Sequence, residues 1–154
     1  MEAEEGRRVP GSQVRGEILI QHAEIRQMLS EVEDLAKRFE ETAAEGPDLG
    51  KGLHERGLAL YEIFGRHLDR EQELLTPALR AAGAQGAQLL NRLEHEHREQ
   101  RELLKFLLAR LRQYPYPTIV IARELQNFGG FLRFEMNHEE EALLSPEVLS
   151  NGGH

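Results

Sequence analysis

The stretch that decides the fold is HLDREQELLTPAL, residues 67–79. His67 and Glu71 stand four residues apart, one turn along a helix, and therefore share a face. Leu60 and Phe64 lead into that face, and Leu74 and Leu75 continue it. The stripe is apolar apart from this one His–Glu pair. Burying an imidazole and a carboxylate on it is costly unless something satisfies them. A metal ion is one such partner; a hydrogen bond between the two, or a position at the helix edge, is the plainer alternative.

Helical periodicity extends outward from this stretch in both directions, and no alternating β-pattern lasts long enough to count. A first helix is expected from about Val14 to Ala43, with Ile18, His22, Ile25, Leu29 and Val32 on one face. EGPDLGKG (residues 45–52) is turn chemistry. The second helix is expected from about Leu53 to Ala82, with Gly83 and Gly86 interrupting, and the third from about Ala87 to Gln113. YPYPT (residues 114–118) ends the third, and the fourth runs from about Thr118 to Ser145-Pro146. Residues 1–13 read as a disordered arm and 150–154 as a tail. Four long amphipathic helices with short links predict an all-α, up-down-up-down four-helix bundle over residues 14–149.

The fourth helix ends much as the second does. MNHEEEALLSPEVL starts at Met136, and aligning Pro146 with Pro77 matches Glu140 to Glu71 and Leu143-Leu144 to Leu74-Leu75. Such pseudo-symmetry brings one carboxylate from each of two helices to the same level, as dinuclear bundle sites require. His22 lies on the core stripe of the first helix, between Ile18 and Ile25. His97 is in register with Leu93 and Leu104 in the third. A lone core histidine is usually only a satisfied histidine. Three of them and two carboxylates, spread over four helices, are better explained by a metal.

Composition narrows the chemistry. The 154 residues are 40% hydrophobic and 30% charged, a globular balance that fits one domain. With no cysteine, disulfides, zinc ribbons, iron–sulfur clusters and thiol nucleophiles are excluded, so any metal needs His, Asp or Glu. The net charge of −8, with basic residues scattered among acids, argues against nucleic acid as a partner. No apolar run approaches a membrane span, and the N-terminus lacks a signal-peptide layout, so a cytoplasmic location is expected.

The order of these residues resembles the hemerythrin-like, HHE cation-binding family: a His on helix one, HxxxE then LxP on helix two, EH on helix three, and a carboxylate then LxP on helix four. The resemblance covers about Val14 to Leu149, and HLDREQELLTPAL is its most specific part. It implies non-haem iron, one or two per chain, held by His22, His67, Glu71, His97 and Glu140. His22 and His67 would serve one iron and His97 the other, with Glu71 and Glu140 bridging. The family usually repeats HxxxE on the fourth helix, and here the His position holds Met136, whose thioether suits iron poorly. The second metal should then bind more weakly or be absent, with Glu94 as a substitute ligand.

Other polar residues are expected to stay outside the site. His138 sits about 200° around the helix from Met136, and His95 fails against His97 by the same geometry. His54 and His154 read as solvated. Glu33, Glu41 and Glu139 read as a charged outer face. Phe131 and Phe134 form, with His138, an outward apolar strip, which suggests a homodimer. Gly129 is a position that could leave room for a small molecule, or allow close helix packing.

Three functions fit. The first is an iron protein that binds, senses or reacts with O2, NO or peroxide. The second is a ferritin-like carboxylate protein, using Glu94-x-x-His97 and Glu135-x-x-His138. The third is a metal-free or metal-poor regulatory bundle that binds a partner. No Ser-His-Asp arrangement, phosphate-cradling loop or dinucleotide fingerprint is visible. If the protein is an enzyme, its catalyst is the metal.

Overall fold

The computed structural model describes residues 10–42, 47–113, 119–144 and 149. These form four helices: α1 (Gly11–Glu41), α2 (Pro47–Ala81), α3 (Gly83–Gln113) and α4 (Ile119–Ala142), with no strand among the described residues. Helix α1 packs on both α2 and α4, and α2 packs on α3. The seam between α3 and α4 is the sparsest. The expected all-α bundle is the one formed.

Several boundaries differ from the sequence reading, each for a local reason. Residues 1–9 of the expected arm lie outside the described residues, but Gly11–Gln13 are already helical, because the Pro10 carbonyl accepts the Gln13 and Val14 amides. Helix α2 starts at Pro47, inside the expected turn. Proline is favoured at a first helical position, where its fixed φ fits and its missing N–H is not needed. Only Ala82 separates α2 from α3, and the reversal is completed by Gly83, the first residue of α3, at φ 75°, a conformation that costs a side-chain-bearing residue about 1–2 kcal/mol. Gly86 does not interrupt anything. It lies within α3, where a Cβ would stand 1.8 Å from the Leu79 carbonyl oxygen, so it is a close-packing position. Residues 114–118, Ser145-Pro146 and the 150–154 tail lie outside the described residues.

The apolar interior falls into two layers. One contains Ile25, Leu29, Phe64, Leu68, Leu104, Phe128, Leu132 and Met136, among others. The other contains Val14, Ile18, Leu74, Leu75, Leu79, Leu93, Leu143 and Leu144. Between them every helix carries a polar side chain. His22 follows Ile18 and precedes Ile25, His67 and Glu71 lie between Phe64 and Leu74, and His97 lies between Leu93 and Leu104.

Ion pairs fasten α1 to α4 along their outer edge. Arg26 binds the Glu140 carboxylate with both terminal nitrogens and Asn137 Oδ1 at 2.8 Å. Arg133 reaches Glu33 at 2.6 Å, and Arg123 reaches Glu40 at 2.7 Å. The Arg133–Glu33 pair decides between the two readings of Gly129: a Cβ there would lie 2.9 Å from Glu33 Oε2, so the missing side chain serves close packing around Glu33 and not a ligand. Glu33 is thereby more than outer decoration.

Phe131 and Phe134 are 41% and 66% exposed, and Leu103 and Phe106 on α3 extend the strip. His138 is exposed and stacks on Phe134 at 6.5 Å. His95 is exposed and pairs with Glu99. His54 is not solvated as expected: it is half-buried, and its Nε2 is buried without a hydrogen-bond partner. His154 lies outside the described residues.

Candidate metal centre

Among the described residues the buried polar or charged side chains are His22, His67, Glu71, His97 and Gln100. Four of these are residues that the sequence singled out, and the bundle brings them together around Glu71. Its Oε2 lies 2.8 Å from His67 Nε2 and 3.4 Å from His22 Nε2, and its Oε1 lies 2.7 Å from His97 Nε2. One carboxylate thus faces two histidines with one oxygen and the third with the other. The His22 and His67 rings meet edge to face, 4.9 Å apart.

The carboxylate that α4 supplies is Glu139. Its Oε1 lies 3.1 Å from His22 Nε2 and its Oε2 4.0 Å from His97 Nε2. Glu140, the expected ligand, stands behind His22, with Oε2 3.7 Å from Nδ1, and is taken up by Arg26. Burial opposes ionisation there, but Arg26 outweighs it and holds the Glu140 carboxyl below the usual range.

Glu139 faces the cluster in place of Glu140 because of a one-residue widening at the end of α4. The Glu139 carbonyl accepts from both Leu143 and Leu144, and the second bond spans five residues instead of four. Helix α2 stays helical through Pro77, so counting back from the prolines misaligns the two helices by one. In the structural register Glu139 matches Glu71, Met136 matches Leu68, and the position matching His67 is Glu135. Met136 is an apolar core residue, 5% exposed, and does not stand in a ligand position. Glu135 faces the charge of Glu96 across the α3–α4 seam. Burial first, and then the Glu96 charge, push its carboxyl up. Glu94 lies apart from the cluster, held by the Gln72 amide at 2.7 Å. The seam Leu132–Met136–Glu139–Leu143, with steps of four, three and four, was the signal that selects Glu139.

The electrostatics are those of a crowded, dry site. For Glu71, burial favours the neutral acid, but the close approach of Glu139, His22, His67 and His97 outweighs it and holds the carboxyl well below its usual range. Glu139 goes the other way, to about 7, through burial and the neighbouring Glu71 charge. The pair therefore favours one shared proton. Burial should lower His22 and His97, yet Glu139 and Glu71 raise both to about 9.

These close approaches do not satisfy the groups. Both ring nitrogens of His22 and of His97, both oxygens of Glu71 and Oε1 of Glu139 are buried with no aligned hydrogen-bond partner. Orphaned buried atoms of this kind are rare and call for an explanation. His22, His67, Glu71 and Glu139 each offer one donor atom, and all four atoms lie within 4.8 Å of one another. Two imidazoles and two carboxylates, with no sulfur, form a donor set that fits non-haem iron.

The family model of the hemerythrin HHE cation-binding domain matches residues 14–148. With the four-helix bundle and this cluster in its interior, the chain belongs to that family. Among curated proteins it is similar to the iron-sulfur cluster repair protein YtfE of Escherichia coli O157:H7, 29% identical over 103 residues. Those residues are 66% of this chain and 47% of the relative, so the chain spans about half the relative's length. No solved structure matches.

Proposed function

We propose that this protein holds non-haem iron between its helices and uses it to bind, sense or react with a small ligand such as O2, NO or peroxide. The observation that carries the reading is the set of orphaned donors on His22, Glu71, His97 and Glu139, sealed between two apolar layers. His22, His67, Glu71 and Glu139 hold the better-supplied position. On the other side His97 faces Glu71 Oε1 and, more distantly, Glu139 Oε2, while the carboxyl of Glu135 is pushed up by burial and the Glu96 charge. That second position is the weaker one. Iron held here by His22, His67, Glu71 and Glu139 would supply redox chemistry. The chain's part is to orient the imidazoles, exclude water with Leu and Phe side chains above and below, and keep two carboxylates at one level.

The relative's name supports the iron reading and suggests its most specific form, a role in iron–sulfur cluster repair. Elemental analysis of protein purified from iron-supplemented cells tests the proposal, with one firmly bound iron per chain expected. Two equally tight irons would contradict the asymmetry, and no iron would contradict the reading itself. A second reading, a metal-poor bundle that binds a partner, is favoured by one feature: the exposed strip of Leu103, Phe106, Phe131 and Phe134. The ferritin-like reading is set aside, because Glu94 and His138 both lie outside the cluster.

A further inference from the structure

His67 touches one neighbour that the metal reading does not use. Its Nδ1 lies 2.7 Å from Oε1 of Gln21 on α1. The Gln21 amide nitrogen in turn faces Oε1 of Glu17, one turn earlier on α1, at 3.4 Å. Arg70, three residues after His67 on α2, closes the circuit. Its Nε donates to Glu17 Oε1 at 2.6 Å and its Nη2 to Glu17 Oε2 at 3.2 Å. Two residues from each helix thus form a ring from the surface ion pair to a buried imidazole.

The ring has a direction. An ionised carboxylate only accepts hydrogen bonds, so Glu17 requires the NH2 end of Gln21 to face it. The carbonyl end must then face His67, which must donate from Nδ1. A hydrogen held on Nδ1 leaves Nε2 to present its lone pair to the metal side, where Glu71 Oε2 lies 2.8 Å away. Outer partners that accept from a ligating histidine fix its tautomer and raise its basicity. Glutamine alone would not do this, since its amide can turn either end toward a ring nitrogen. The Glu17–Arg70 pair supplies the polarity.

A cavity of about 300 Å³ opens between α1 and α2 onto Gln21, His67, Arg66 and Arg70. Water reaching it would compete for the Nδ1 hydrogen, and the Gln21 carbonyl occupies that place. We infer that Gln21 is a positioning residue for the metal ligand His67, with its amide polarity set by the Glu17–Arg70 ion pair. The inference rests on the metal reading above, and it adds a route by which a surface pair tunes the centre.

The experiment uses the full chain, with zinc as a diamagnetic probe and iron for the potential. In the zinc-loaded protein the His67 Nδ1 hydrogen should give a proton resonance protected from solvent exchange. Gln21→Leu should lose that protection, weaken zinc in chelator competition by roughly 10–100-fold, and raise the iron midpoint potential, because a less basic imidazole stabilises the oxidised metal less. Gln21→Glu keeps an acceptor and should restore the protected resonance. Glu17→Gln, at the half-exposed end of the ring, should lose protection with the fold intact. If zinc affinity, midpoint potential and the protected resonance are all unchanged in Gln21→Leu and Glu17→Gln, the inference is overturned while the metal reading stands. If the parent chain takes up neither metal, both fall.

Discussion

Oε1 of Glu139 lies 3.1 Å from Nε2 of His22, so the last turns of α4 deliver a carboxylate to the ring nitrogen that also faces Glu71. The next residue, Glu140, spends its charge on Arg26. Two adjacent glutamates thus have separable roles. Glu139→Gln should weaken metal binding by more than the roughly 10–100-fold typical of outer partners. Glu140→Gln should leave metal affinity nearly unchanged and lower stability by about 0.5–1 kcal/mol, the worth of an ion pair near the surface. Chelator competition and chemical denaturation of the two variants measure these effects. Equal losses of metal would return Glu140 to the ligand set.

The raised histidines give the metal-free protein a signed pH dependence. His22 and His97 move from 6.5 to about 9, so the folded state holds their protons more tightly. Their contribution is complete below about pH 6.5 and is lost as pH rises through 9. Glu139, raised from 4.5 to about 7, has the same sign over a lower window, and Glu71, lowered, acts oppositely in acid. Stability of the metal-free chain should therefore fall between pH 7 and 9. Metal uptake near pH 7.5 should release protons, because ligating imidazoles must be neutral. Calorimetry in two buffers of different ionisation enthalpy reads that release; identical heats would contradict it.

Gly86 and Gly129 separate two kinds of close approach. At Gly86 a Cβ meets a backbone oxygen at 1.8 Å, and the α2–α3 junction would have to move. Gly86→Ala should cost about 1–3 kcal/mol, as overpacking does. At Gly129 the obstacle is the end of the Glu33 side chain. Gly129→Ala should lie close to neutral, since the gain in helix propensity of about 1 kcal/mol offsets a displaced carboxylate. Thermal denaturation of both variants makes the comparison.

The apolar strip on α3 and α4 carries the proposed homodimer. Phe134 is 66% exposed and Phe106 57%. Light scattering at micromolar concentration should give twice the 17.6 kDa chain mass, and Phe134→Glu should return the monomer. A monomeric parent would remove the proposal.

The bundle was legible in the sequence because four apolar stripes of helical period have nothing else to pack on. His22, His67, Glu71 and His97 were legible for the same reason, as polar residues on apolar faces. What was not legible was the phase of α4. Alignment on Pro77 and Pro146 assumed equal helical runs, and the wide turn at Leu143–Leu144 adds one residue. That single step moved the carboxylate from Glu140 to Glu139 and the position matching His67 from Met136 to Glu135. The Gln21–Glu17–Arg70 ring was equally hidden. Its members lie on half-exposed faces, where glutamine and charged residues are ordinary, and only the pairing of α1 with α2 makes them a unit.

The most direct measurement is anomalous diffraction at the iron edge from crystals of the iron-loaded protein. The expected result is a strong peak bonded to the Nε2 atoms of His22 and His67 and to carboxylate oxygens of Glu71 and Glu139, with a weaker peak or none beside His97. A peak held by Glu140, two peaks of equal height, or an interior without iron would contradict it.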